Sequence, residues 1–113
     1  MFDSVSYVAM NSALDALSLR QRVIANNIAN VNTPDYQARK VAFEDALAAA
    51  VADGTGAVQA SVGVSLEPTR EDGNNVNLDT EVISNTDTTL RYQVATRALE
   101  GSFTSIRTAL RTS

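Results

Sequence analysis

The side chains that most often do chemistry at neutral pH are missing from this sequence. It has no histidine and no cysteine, which removes the customary general base, the commonest metal ligand, the thiolate nucleophile and any disulfide. Carboxylates remain. Glu44-Asp45 and Glu71-Asp72 could be imagined as acid–base pairs, but neighbouring side chains on a helix point apart and as a rule face solvent. The stretch Asp72-Gly73-Asn74-Asn75-Val76-Asn77 superficially looks like a calcium loop. Val76, Asn77 and Ile83, however, stand where such a loop needs an oxygen ligand, a glycine and a glutamate. Gly54-Thr55-Gly56 is too short to cradle a phosphate, and no lysine follows it. The expectation is a protein without catalytic residues, cofactor, metal or small-molecule substrate.

Composition narrows the class further. The 113 residues carry nine cationic and thirteen acidic side chains, a net charge of −4, and Lys40 is the sole lysine. That balance argues against nucleic acid, which needs a basic face. The mean hydropathy is −0.09, and no run of 18 apolar residues exists to span a bilayer. The start, Met1-Phe2-Asp3-Ser4, lacks the basic and apolar regions of a cleaved secretory signal. Charge is unevenly spread: residues 35–81 sum to −6 and residues 88–113 to +3. An acidic middle and a basic end suit copies or partners meeting head to tail, although a solvated surface explains them equally.

The densest oddity is asparagine. Asn26, Asn27, Asn30 and Asn32 fall within seven residues at the end of a helical pattern. Their amides compete for backbone groups and weaken a helix unless they have assigned partners. Asn26 and Asn30 lie one turn apart on a shared face, while Asn32 and Thr33 can close the last carbonyls. A frayed polar terminus accounts for the cluster as well.

The elements that would position these amides are helices. Tyr7, Met10, Leu14, Leu17, Gln21, Ile24, Ile28 and Val31 advance in steps of three and four, the a/d seam of a coiled coil. An ordinary amphipathic core helix makes the same pattern. Asp3 or Ser4 can cap this helix, and Thr33-Pro34 stops it. Phe43 to Val51 reads as a short helix ended by Asp53-Gly54, and residues 57–72 as a loop with at most one short strand. Asp72-Gly73-Asn74-Asn75 is a turn. Asn77 can then cap a last helix with the stripe Leu78, Val82, Asn85, Thr89, Tyr92, Thr96, Leu99, Phe103, Ile106 and Leu110. At about 1.5 Å per residue both long helices overrun a compact globule of this size, whose radius of gyration would be about 13 Å. The chain looks built to pack sideways against other chains.

The stretch Asn26-Asn27-Ile28-Ala29-Asn30-Val31-Asn32-Thr33-Pro34-Asp35-Tyr36 resembles the N-terminal motif of bacterial flagellar rod and hook axial proteins. Residues 72–82, with Leu90-Arg91-Tyr92-Gln93, look like the C-terminal pattern of the proximal rod type in the basal body. Asp35 stands where that family usually has glycine, and Asn77 where it usually has aspartate. The resemblance implies a mainly α chain: two long terminal helices pairing as an antiparallel coiled coil, with a short helix and an irregular loop between them. The segments would be 1–33, 34–77 and 78–113, the first and last forming one unit.

It further implies a structural subunit of the drive shaft in the cell envelope, within the periplasmic space where an outer membrane exists. Export would run through the flagellar type III apparatus without a cleaved signal. The partners would be copies of itself, other rod proteins and a membrane-ring adapter. Leu14, Leu17, Ile24, Ile28 and Val31 are expected to face Leu99, Phe103, Ile106 and Leu110 in helix packing. Asn26, Asn27, Asn30, Asn32, Thr33, Pro34 and Tyr36 would form the junction that sets register. A soluble helical adapter or export chaperone is the competing reading, and a small carboxylate hydrolase a distant third.

Overall fold

The computed structural model describes residues 4–112, with the side chains of 102–106 and 112 left out of the description. Five elements follow in order: α1 (Ser4–Ala29), β1 (Arg39–Ala42), α2 (Glu44–Ala52), β2 (Ser61–Val64) and α3 (Leu78–Thr112). The two long helices pack together and dominate the fold, as expected. The molecule measures 67 × 27 × 14 Å with a radius of gyration of 17.8 Å, well above the value of about 13 Å for a compact chain of this length. Among the described residues no helix is long and apolar enough to cross a membrane.

Regular α1 stops at Ala29, short of the expected Thr33-Pro34 boundary. The Asn30 N–H is shared between the carbonyls of Asn26 and Asn27, and Val31 and Thr33 donate to carbonyls only three residues back. This tightening closes the helix before the proline acts. Asp35 then adopts φ 61°, a left-handed conformation that aspartate tolerates better than most residues. Asp3, one of the two expected caps, lies outside the described residues.

The connecting segment is more ordered than its sequence suggests. β1 and β2 pair antiparallel, with Arg39 opposite Val64 and Val41 opposite Val62; β2 is the one short strand allowed within residues 57–72, and β1, which the sequence did not announce, is its partner. Each strand is four residues long, and β1 reads as polar because only Val41 points into the core. Val41 joins Ala16, Leu17 and Phe43 in a small core that Val23, Leu47 and Tyr92 flank. After α2 the chain folds back on α1. Gly56, at φ 69°, approaches so closely that a Cβ there would sit 2.6 Å from the Val5 carbonyl oxygen.

α3 begins where the sequence places it. The Asn77 side chain accepts the Thr80 N–H at 3.2 Å, and Asp79, in the first turn, complements the helix dipole. Its packing face is not the expected stripe. The buried positions are Glu81, Thr88 and Ala95, spaced by sevens and therefore on one face. Leu78 and Val82 are about half exposed, and Ile83, Leu90 and Val94 are 69%, 57% and 69% exposed, Leu90 and Val94 bordering an open groove that Met10 and Leu17 of α1 also line. Small and polar side chains let α1 approach closely, and the larger apolar ones are left outside.

Candidate functional site

Three asparagines form the centre of a junction where the end of α1, the start of β1 and the start of α3 meet. Asn27 is fully buried. Its Oδ1 accepts the Arg39 N–H at 3.0 Å and the Tyr36 hydroxyl at 3.1 Å. Its Nδ2 donates to the Arg39 carbonyl at 2.9 Å and to Glu81 Oε1 at 3.1 Å. Every hydrogen-bonding capacity of the amide is used, and the side chain pairs with β1 as a neighbouring strand would.

Asn74, also fully buried, donates to the carbonyls of Asn30 and Thr33, both at 2.8 Å, and accepts the Val76 N–H at 2.7 Å. These two carbonyls just past α1, which already accept the Thr33 and Tyr36 N–H groups, thereby gain a second bond from a segment more than forty residues away. Asn75 accepts the Ala38 N–H at 2.6 Å and donates to the carbonyls of Ser65 and Glu67. Arg70 spans the same seam, donating to the carbonyls of Val31 and Val76. Asp35 and Gly73 meet at the rim, where the Asp35 N–H donates to the Asp72 carbonyl at 2.8 Å. Gly73 has φ 81°, and a Cβ there would run into Asp35, so this crossing requires glycine.

Of the expected junction residues, Asn26 donates to the Tyr36 hydroxyl at 2.9 Å, and Tyr36 passes the link to Asn27. Asn30 donates to the Asn26 carbonyl and accepts the Thr33 hydroxyl at 3.0 Å. Asn32, Thr33 and Pro34 are exposed. Of the expected packing residues, Leu17 and Ile24 are buried, and Leu14, Ile28, Val31 and Leu99 are half-buried. Leu110 is 74% exposed, and the side chains of Phe103 and Ile106 fall outside the described residues. The Asn27–Glu81 contact sets an antiparallel register in which Ile24 and Ile28 lie beside the first turns of α3, not beside Leu99 to Leu110.

Sequence reasoning placed Asn74, Asn75 and Glu81 in the family-like stretch 72–82, with Asn74-Asn75 in a turn, but assigned no bonding partners to them or to Arg70. Two adjacent amides in a turn, matched by unclosed carbonyls at a helix end, were the available signal. Burial of Glu81 raises its carboxyl above the ordinary glutamate value, a rise opposed by the bond from Asn27 and the charge of Lys40 and aided by Glu67. Glu44, far from being half of an acid–base pair, receives a two-pronged bond from Arg20 at 2.6 and 2.7 Å. That bond holds its carboxyl below the usual glutamate value despite partial burial. Arg20 also donates to the Val41 carbonyl and lies 4.8 Å above the Phe43 ring.

A family described as flagella basal body rod protein matches residues 7–37, all of α1 after its first three residues and the turn that follows it. Over this stretch the chain is similar to basal-body rod proteins. The chain is 30% identical to the flagellar basal body rod protein FlgB of Bacillus subtilis strain 168, with 89% of each chain covered. It is 33% identical to FlgB of Escherichia coli K12, with 87% of each covered. A FlgB of Borrelia hermsii matches at 60% over 34% of this chain and 28% of its own. The chain belongs to the FlgB family of flagellar basal body rod proteins, structural components of the flagellum.

Proposed function

We propose that this chain is a proximal rod subunit whose copies associate laterally into a helical tube that transmits torque. The observation that supports it is the distribution of apolar surface on α3. The face turned to α1 is small and polar, while Ile83, Leu90 and Val94 remain more than half exposed. Full burial of such a side chain stabilises by about 1.5–3 kcal/mol, so a neighbour covering these three positions gains on the order of 1 kcal/mol from each. Contacts of this kind, if heterologous, repeat without closing and produce a filament.

In this reading the asparagine junction is the stiff element. Its fully paired amides fix the register of α1 against α3, so that load is carried by hydrogen bonds without slippage. Partners are copies of the chain, other rod proteins and a membrane-ring adapter. Delivery is by the flagellar type III export apparatus without a cleaved signal, to the periplasmic space where an outer membrane is present. The packing positions are Leu14, Leu17, Ile24, Ile28, Val31, Leu99, Phe103, Ile106 and Leu110.

Ile28→Asp tests the assembly reading, because it puts an unpaired charge on a half-buried position of α1, at a cost of a few kcal/mol. The variant should retain helical circular dichroism as a purified chain but fail to appear in isolated basal bodies. Normal incorporation would place the packing surface elsewhere.

A further inference from the structure

The two-stranded sheet has one closed edge and one open edge. Ser65 donates its N–H to the Ala38 carbonyl at 2.7 Å, and Arg39 stands opposite Val64. Ladder bonds alternate along an antiparallel pair, so Lys40 and Ala42 bond to β2 while Arg39 and Val41 turn outward. α1 closes that side of β1. Asn27 takes the Arg39 N–H and carbonyl, and Arg20 donates to the Val41 carbonyl. On β2 the outward groups are the N–H and carbonyl of Val62 and of Val64, and among the described residues nothing bonds them.

This open edge lacks the usual protection. Residues 54–66 contain neither a charge nor a proline, the devices that commonly blunt a free edge. Val62 lies opposite the buried Val41, and so on the face that packs on α1. Val62 and Val64 are nonetheless 47% and 55% exposed, because the sheet ends there, and Leu66 is 98% exposed.

The residue order along the edge selects its occupant. Ala60-Ser61-Val62-Gly63-Val64-Ser65-Leu66 alternates apolar and small residues, and Ser61 to Ser65 reads identically in both directions. We propose that β2 of one copy pairs antiparallel with β2 of a second copy, on a two-fold axis through Gly63. Val62 of each copy then meets Val64 of the other as a hydrogen-bonded pair, which uses every outward group of both valines. The two glycines face each other on the axis, with no side chain to obstruct the approach. Leu66 of each copy falls opposite Ala60 of the other, beside a hollow of about 330 Å³ that Ala16, Leu19 and Val58 line together with polar residues.

Pairing stops at four strands, since Asn27 and Arg20 occupy both far edges. Two short edges bury less than the roughly 1,200–2,000 Å² of a standard interface, which puts the contact at the low-affinity end. Its two copies point in opposite directions. A tube whose copies all point one way cannot contain such a pair, so it belongs to chains outside the assembly. It goes beyond the rod reading and does not rest on it.

Single cysteines in this cysteine-free chain test the pairing in the full-length purified protein. Gly63→Cys adds a Cβ that meets nothing within 4 Å. On the axis its Cα lies about 4.5 Å from its mate, within disulfide reach. Ser61→Cys, two residues away, lies roughly 13 Å from its mate and out of reach. In a glutathione redox buffer Gly63→Cys should give at least ten times as much disulfide-linked dimer as Ser61→Cys. Similar yields would mean random encounter and would overturn the proposal. Association through α3 alone favours neither cysteine, so failure here and failure of the rod reading are told apart.

Side-chain changes in the Gly63→Cys chain supply the second arm. Leu66→Glu, at an exposed position, and Val64→Glu, opposite Arg39, should each lower the dimer yield at least fivefold, with circular dichroism unchanged. Val64→Ile keeps the apolar face and should preserve the yield. An undiminished yield from either glutamate variant overturns the proposal.

Discussion

Replacing Asn27 by alanine probes the junction directly. The change removes four hydrogen bonds at once: to the Arg39 N–H, the Arg39 carbonyl, the Tyr36 hydroxyl and Glu81. The Glu81 contact is buried, and stranding such a group costs about 1–3 kcal/mol; the three partly buried bonds, which water can replace in part, contribute about 1 kcal/mol each. The expected loss is about 4–6 kcal/mol, a large share of the 5–15 kcal/mol that holds a typical domain. With a urea slope of about 1.5 kcal/mol/M, the midpoint followed by far-ultraviolet circular dichroism should fall by about 3 M.

The loss should also depend on pH. Glu81 already has a raised carboxyl value, so its folded form favours the proton. The corresponding stability is fully present below the ordinary glutamate value and is lost as pH rises through the raised one. Without the Asn27 donor the value rises further, so the deficit should be larger at pH 7 than at pH 4. Asn32→Ala, five residues along on an exposed position, should move the midpoint by less than about 0.5 kcal/mol equivalent. Equal shifts for the two variants, or a deficit at Asn27 independent of pH, would refute the account of the junction.

Two further outcomes follow from local geometry. Gly56→Ala should destabilise by about 1–3 kcal/mol, since its φ of 69° and the nearby Val5 carbonyl both resist a Cβ. Gly63→Ala, with nothing within 4 Å of the added Cβ, should be nearly neutral, and thermal melts of the pair decide the point. Glu44→Gln should cost less than about 1 kcal/mol at pH 7, because the Arg20 pair is partly solvent-screened. Since the folded Glu44 value is lowered, that contribution is present above the ordinary glutamate value and disappears as pH falls through the lowered one. Wild type and variant should therefore converge in acid, as parallel urea titrations at pH 7 and pH 3 would reveal.

Much of this architecture was legible from residue order alone, because it depends on local rules. Heptad spacing from Tyr7 to Val31, the Asn77 cap and the turn at Gly73 state where helices begin and that they are too long for a globule. The absence of histidine and cysteine is a fact of composition, and the asparagine cluster announced that amides needed partners. Which partners they have could not be read. Asn27 bonds to Arg39 and Glu81, and Asn74 to the carbonyls of Asn30 and Thr33, pairings set by the folding of distant segments onto one another. The same limit applies to β1, whose four residues, two charged and two apolar, become a strand only because β2 lies opposite and Asn27 bonds its outer edge. It applies also to α3, where helical periodicity admitted several faces. Close approach of α1 selected Glu81, Thr88 and Ala95, because small or hydrogen-bonded side chains fit there, and so left larger apolar residues such as Ile83 exposed.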